Sequence, residues 1–309
     1  MSQPWALASP RARGLASGSA AYLIWGLFPL YWPLLEPAGA GEILANRILW
    51  SLAFMALVCT ARREWSWLPA LLRDRRRLGL VTLAAVMIAV NWGLFIWGVN
   101  HGEVVETSLG YFMNPLVTMA VGVVVLRERL SPAQWTGAGV ATAGVVVIGV
   151  GYHSAPWLGL GLAGAFATYG WVKKVIGMPA VQSMTAEGLV LAPFALVALA
   201  VLEAGGHAQF GHDPSVTALE VGGGVVTAVP LLLFAFAALR LDLSVLGLLQ
   251  FLTPVVAFLI GVGVDHEVVD ATAWVGFGIL WVGLVIVTVA TRRAVEPAVP
   301  PGEPVAQAR

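Results

Sequence analysis

The chain reads as a succession of long apolar runs separated by short polar breaks. The runs lie near 15–34, 41–61, 78–99, 104–126, 132–151, 157–173, 180–202, 218–240, 243–263 and 271–291. About 20 such residues cross a bilayer as a helix, because the hydrocarbon core is about 30 Å thick and a helix rises about 1.5 Å per residue. Membrane barrel strands instead alternate apolar and polar positions over roughly 10 residues. The pattern therefore predicts an all-α integral membrane protein with ten transmembrane helices. The run at 157–173 is the shortest of them.

The polar breaks sort by charge. Arg11 and Arg13 precede the first run, and Arg62, Arg63, Arg73, Arg75, Arg76 and Arg77 separate the second from the third. Arg127 and Arg129 follow the fourth, Lys173 and Lys174 the sixth, Arg240 the eighth, and Arg292 and Arg293 the tenth. The alternate breaks hold Glu36, His101, Glu103, His153, Glu203, His207, Asp213, Asp265, His266, Glu267 and Asp270, without Lys or Arg. Basic residues stay on the cytoplasmic side during insertion, so both termini are expected in the cytoplasm, with the protein in the cytoplasmic (inner) membrane. Trp65, Trp67, Leu71 and Leu72 could rest part of the Arg-rich loop on the headgroups.

Composition agrees: 59% of the 309 residues are hydrophobic and 11% charged, against roughly 25% charged in a soluble domain. The net charge of zero conceals the two-sided asymmetry, and no nucleic-acid partner is needed to explain the basic loop. A single cysteine, Cys59, excludes an internal disulfide and a cysteine metal site. Residues 1–14 are expected to form a cytoplasmic tail with no cleaved signal, and 292–309, rich in Pro and Ala beyond Val295, a disordered one.

The second half repeats the first. Pro254 follows Pro115 by 139 residues, and the same register pairs Phe112 with Phe251, Gly122 with Gly261, Glu128 with Glu267, Trp135 with Trp274, Gly137 with Gly276 and Gly144 with Gly283. With a slightly different offset, Ala21, Tyr22, Trp25 and Gly26 match Ala165, Phe166, Tyr169 and Gly170, and Glu42 matches Glu187. The repeats are expected at 15–151 and 157–291, five helices each. An odd number of spans brings the second copy in from the opposite side, which is the inverted-repeat plan of many transporters.

Local features have structural readings. Ser131 before Pro132 suits a helix N-cap, Pro115 and Pro254 would kink spans four and nine, and Gly137, Gly139, Gly144 and their counterparts permit close helix contact. Glu128 reads as structural, near the start of the following helix.

The segments Ala21-Tyr22-Leu23-Ile24-Trp25-Gly26-Leu27-Phe28-Pro29, Glu42-Ile43-Leu44-Ala45-Asn46-Arg47-Ile48-Leu49-Trp50-Ser51, Asn91-Trp92, Gly110-Tyr111-Phe112-Met113-Asn114-Pro115-Leu116 and Leu248-Leu249-Gln250-Phe251 carry a family likeness. Over roughly 15–291 the chain resembles the drug/metabolite transporter superfamily, its EamA-type proteins and, within them, the RarD group labelled chloramphenicol-sensitivity permeases. The resemblance implies a secondary transporter, an exporter or exchanger of a small metabolite or drug. A lipid flippase or a non-transporting membrane subunit is the alternative that the same architecture could serve.

Arg47 and Glu187 are the ionisable residues singled out inside spans two and seven, where a charge is costly and faces a cavity or a partner. One reading has Arg47 attracting an anionic substrate group in the outer half and Glu187 taking up a proton or cationic group in the inner half. The other pairs Arg47 with Glu106 and leaves Glu187 among waters near Lys173 or Lys174. Asn91, Tyr111 and Gln250 are candidates to assist, and Trp25, Trp92 and Tyr111 lie deep enough to line a cavity or to pack between helices. No cofactor or metal is expected: the chain lacks a Walker loop, a His-Glu-x-x-His pair and a serine nucleophile motif, which also argues against an enzyme. The partners expected are the bilayer and a small-molecule substrate, with a place for a coupling proton or counter-substrate.

Overall fold

A computed structural model describes residues 9–101, 104–150, 157–264 and 271–293. Their regular structure is helical: α1 (Pro10–Gly26), α2 (Ala40–Ala61), α3 (Trp67–Arg73), α4 (Arg75–Asn100), α5 (Val104–Val124), α6 (Pro132–Val150), α7 (Trp157–Ile176), α8 (Ala180–Ala204), α9 (Pro214–Ala238), α10 (Leu243–Gln250), α11 (Leu252–Gly263) and α12 (Ala271–Arg293). Among the described residues, Ala40–Ala61, Arg75–Phe95, Ala180–Ala204, Pro214–Ala238 and Leu243–Gly263 are long and apolar enough to cross a membrane.

Two of the expected runs are interrupted. The run at 15–34 is helical only to Gly26, and short 3₁₀ turns at Phe28–Leu30 and Trp32–Leu35 carry the chain on to α2. Pro29 and Pro33 explain the break, because each lacks an N–H and disfavours helical backbone in the residue before it. At its other end α1 starts early: the Ser9 hydroxyl accepts from the Ala12 amide at 3.2 Å, and Pro10 takes the first helical position. The run at 243–263 is two helices, α10 and α11, divided at Phe251 just before Pro254. Pro115, by contrast, stays inside the unbroken α5. Lys173 and Lys174, expected in a loop, belong to the last turn of α7. Ser131 caps α6 as expected: its hydroxyl accepts from the Gln134 amide at 3.3 Å, and the Gln134 side chain accepts from the Ser131 amide at 2.9 Å.

Packing joins the first half to the second throughout. α2 lies against α8 and α9, α4 against α7 and α8, α1 against α9 and α11, α5 against α7 and α10, and α6 against α12. Three of these pairs run antiparallel. Cys59 meets Thr185 while Leu52 meets Gly188, Thr118 meets Gln250 while Gly122 meets Ser244, and Gly137 meets Gly283 while Gly144 meets Gly276. The last contact is backbone on backbone: a Cβ at Gly144 would lie 2.9 Å from the Gly276 carbonyl oxygen, and one at Gly283 2.8 Å from that of Gly137. Gly139 and Gly278 face open space, so the sequence pattern overcounted the contact glycines.

Aromatic rings fill the centre. Phe234 touches Tyr22, Trp25, Phe166 and Tyr169 with centroids 5.5–6.2 Å apart, and Trp25 meets Phe166 edge-on at 5.9 Å. Such separations suit tilted and edge-to-face ring contacts.

Candidate functional site

A narrow cavity lies beside this aromatic core, between α2, α4, α7, α8 and α9. Its walls are Arg47, Ile48, Ser51, Leu52 and Met55 from α2, Ile88 and Trp92 from α4, Tyr169 from α7, Met184, Glu187, Gly188 and Leu191 from α8, and Thr227 and Leu231 from α9. Its free volume is about 40 Å³, far below the roughly 300–1,000 Å³ of a small-molecule site. The helices are therefore closed around it, and a solute larger than a water or two requires them to part.

Arg47 reaches the cavity from α2, about 10 Å from the start of that helix at about 1.5 Å per residue. Its Nε donates to the Thr227 hydroxyl at 3.1 Å. The guanidinium lies 4.6 Å from the ring centroids of both Trp32 and Trp92, so two indole faces hold it by cation–π attraction. Its terminal nitrogens make no hydrogen bond to a described residue, which leaves donors for a ligand. Tyr111 lies within electrostatic reach of Arg47, is 37% exposed, and meets Phe95 edge-on at 5.6 Å. The proposed partner Glu106 falls outside the residues whose side chains are described.

Glu187 enters from α8 and is fully engaged. Oε1 accepts from Lys173 Nζ at 2.5 Å and from the Ser183 hydroxyl at 2.7 Å, and Oε2 from the Tyr169 hydroxyl at 3.2 Å. Lys173 donates also to Ser183 at 2.7 Å. Both charged side chains are almost wholly buried, at 3% and 7% exposure. A buried ion pair survives only when its remaining hydrogen-bonding capacity is met, and here Ser183 and Tyr169 meet it. The α8 backbone brings this about locally, since Ser183 and Glu187 stand four residues apart on one helix face.

The other sequence candidates divide. Trp92 shares the cavity wall with Arg47. Trp25 is held in the aromatic core against Tyr22 at 5.4 Å and is not part of the wall. Asn91 is turned away: its Nδ2 donates to the Leu162 carbonyl at 2.9 Å and ties α4 to α7. Gln250 is also a helix tie, accepting from the Thr118 hydroxyl at 3.4 Å between α10 and α5. Sequence reasoning set Glu187 near Lys173 or Lys174, though among waters and not in a direct pair, and did not single out Trp32, Thr227 or Ser183 as partners. The spacing of Ser183 and Glu187 was the one local signal for any of them.

The chain matches the model of the EamA-like transporter family over residues 12–150. It is 50% identical over 276 residues to Protein RarD of Streptomyces exfoliatus, covering 89% of this chain and 88% of that one. It is 39% identical to Protein RarD of Escherichia coli (strain K12), over 89% and 93% of the two chains. A protein of known crystal structure superposes with a TM-score of 0.72 at 17% identity, covering 92% of this chain and 99% of the other.

Proposed function

This chain belongs to the EamA-like transporter family, and we propose that it is a secondary transporter of a small solute, working by alternating access between two inverted five-helix repeats of a ten-span fold. It is a multi-pass membrane protein. The observation that carries the proposal is the cavity itself, walled by helices of both halves and holding Arg47 with free donors between two indoles.

The antiparallel helix pairs support the inverted arrangement. Gly137 and Gly144 correspond in the repeat to Gly276 and Gly283, and they exchange partners across the α6–α12 contact. A two-fold axis between the halves makes contacts reciprocal in this way, and equivalent helices lie antiparallel only when that axis is perpendicular to them, in the membrane plane.

Arg47 would receive an acidic group of the solute, with Trp32 and Trp92 packing its apolar or aromatic part. Glu187 has another role in this reading: it is paired with Lys173 behind the wall and so ties α8 to α7 in place of capturing a substrate cation. Solute flux by purified protein in proteoliposomes tests the reading, with lipid scrambling measured in the same vesicles. Acidic aromatic solutes should exchange across the membrane at a rate that Arg47→Ala lowers to background while lipid movement stays at background. Scrambling without solute flux would favour the flippase.

A further inference from the structure

A second pair of carboxylates stands outside the cavity. Glu42 lies in the first turn of α2 and Glu220 in the second turn of α9, beside the 3₁₀ turns and the 205–213 connection. They are 1% and 2% exposed and close enough for their charges to act on one another. Glu42 Oε1 accepts from the amides of Gln209 and Phe210 at 2.7 Å each. No hydrogen-bond partner lies within 3.5 Å of its Oε2 or of either oxygen of Glu220, although the Asn46 side chain is placed as a donor toward Glu220.

The surroundings supply no counter-charge. Among the described residues no Lys, Arg or His comes within 4.0 Å of either carboxylate. From α2, Asn46 stands beside Glu220 and donates to the Glu42 carbonyl at 3.3 Å, while Arg47 is committed to Thr227 and the two indoles. From the 3₁₀ segment, Tyr31 lies within electrostatic reach of Glu220 but donates its hydroxyl to the Leu219 carbonyl. From the 205–213 connection, His207 is exposed, His212 faces Glu203 at 3.2 Å, and Asp213 accepts from the Ser215 amide at 2.8 Å. Glu203, on α8, and Glu36 are exposed. An ionised carboxylate sealed from water with neither a cation nor close hydrogen-bond donors is strongly disfavoured, and of the two it is Glu220 that lacks both. A proton on Glu220 removes that penalty and the repulsion from Glu42 at once.

We propose that Glu220, beside Glu42, carries a proton and is the proton-coupling site of the transport cycle, loaded while this end of the molecule is closed and emptied when it opens. This rests on the transporter reading above. In the closed state Glu42 Oε1 keeps the amides of Gln209 and Phe210, and the Glu220 carboxyl stays protonated behind them. When the 205–213 connection lifts away, water enters, the proton leaves to the aqueous phase, and the two anions repel. Linkage makes the relation reciprocal: a bound proton favours closure, and closure favours proton uptake.

Two measurements on the full-length protein in lipid nanodiscs test this without a substrate. Infrared spectroscopy of the unmodified protein at neutral pH should show the carbonyl stretch of a protonated carboxylic acid, lost in Glu220→Gln and kept in Glu128→Gln. In a Cys59→Ser background, a cysteine placed by Gln209→Cys should react with maleimide several-fold faster in mildly alkaline than in mildly acidic buffer, after division by the rate of a free small thiol. Added Glu220→Gln should make that rate slow and flat with pH. The proposal is overturned by absence of the band, by its survival in the Glu42→Gln, Glu220→Gln double variant, or by pH-independent labelling. A band abolished by sodium chloride at constant pH would assign the pair to a metal cation and overturn it equally. Neither readout measures flux, so a failed vesicle assay and a failed proton site are separate results.

Discussion

Lys173 and Glu187 have given up nearly all contact with water, and each is tolerated because the other is there. Removing one partner of a buried pair leaves an uncompensated charge, typically at a cost of about 3–5 kcal/mol. Glu187→Gln is therefore expected to lower stability as well as transport, read as an earlier melting transition of the purified protein. Replacing both residues by apolar ones of similar size should recover most of that stability, since a matched apolar pair avoids the desolvation cost. Flux in the double variant then separates the pair's structural role from any role in transport. Arg47 is a different case, because its ring contacts and single hydrogen bond leave donors free. Arg47→Lys keeps the charge but loses the planar fork that stacks on indoles and grips a carboxylate. Its flux should fall at least about tenfold, with membrane insertion unchanged; normal flux would remove Arg47 from the site.

Helices in this molecule are held to one another by two devices that can be tested separately. One is backbone proximity between α6 and α12, where a side chain at Gly144 or Gly283 has no room. Gly283→Leu should cost about 1–3 kcal/mol through overpacking, while Gly278→Leu, facing open space, should melt close to the unsubstituted protein. The other device is Glu128, which caps a helix of the opposite half. Its carboxylate accepts from the amides of Leu243 and Ser244 at 2.7 and 2.8 Å and from the Ser244 hydroxyl at 2.6 Å, at the start of α10. Lys174 stands 3.8 Å from the same carboxylate and donates to the Leu241 carbonyl at 2.5 Å. A structural role for Glu128 was legible in the sequence, but the expected beneficiary was the following helix. The cap instead serves a segment 115 residues away, for which no local pattern exists. Glu128→Ala should cost about 0.5–2 kcal/mol, the range for loss of a helix N-cap, and loosen this end of the molecule, measurable as faster amide exchange at Leu243 and Ser244.

At the scale of the whole molecule, the distribution of Lys and Arg predicts both termini on one side and the 205–213 connection on the other. Reporter fusions at Arg309 and beside His207 should give opposite signals, and equal signals would sink that topology. What the sequence determined by itself is what lipid enforces locally, apolar runs of helical length and basic residues sorted to alternate breaks, together with residues of the second half that recur in the register of the first. Each of these is written in a short window or in a comparison of two windows. Even so, windows missed the 3₁₀ turns after Gly26, because apolar content persists there while proline ends the helix, whereas the span with the kink expected at Pro254 is divided at Phe251. Only the tertiary structure decided the partners. Arg47 and Thr227 are 180 residues apart, Asn91 and Gln250 turned out to be ties between helices, and Lys173 moved from loop to buried ion pair. The physical reason is that helices apolar on every side carry no periodic mark of which face turns inward. Rotation and crossing are settled when small residues, rings and buried polar groups of distant segments find one another.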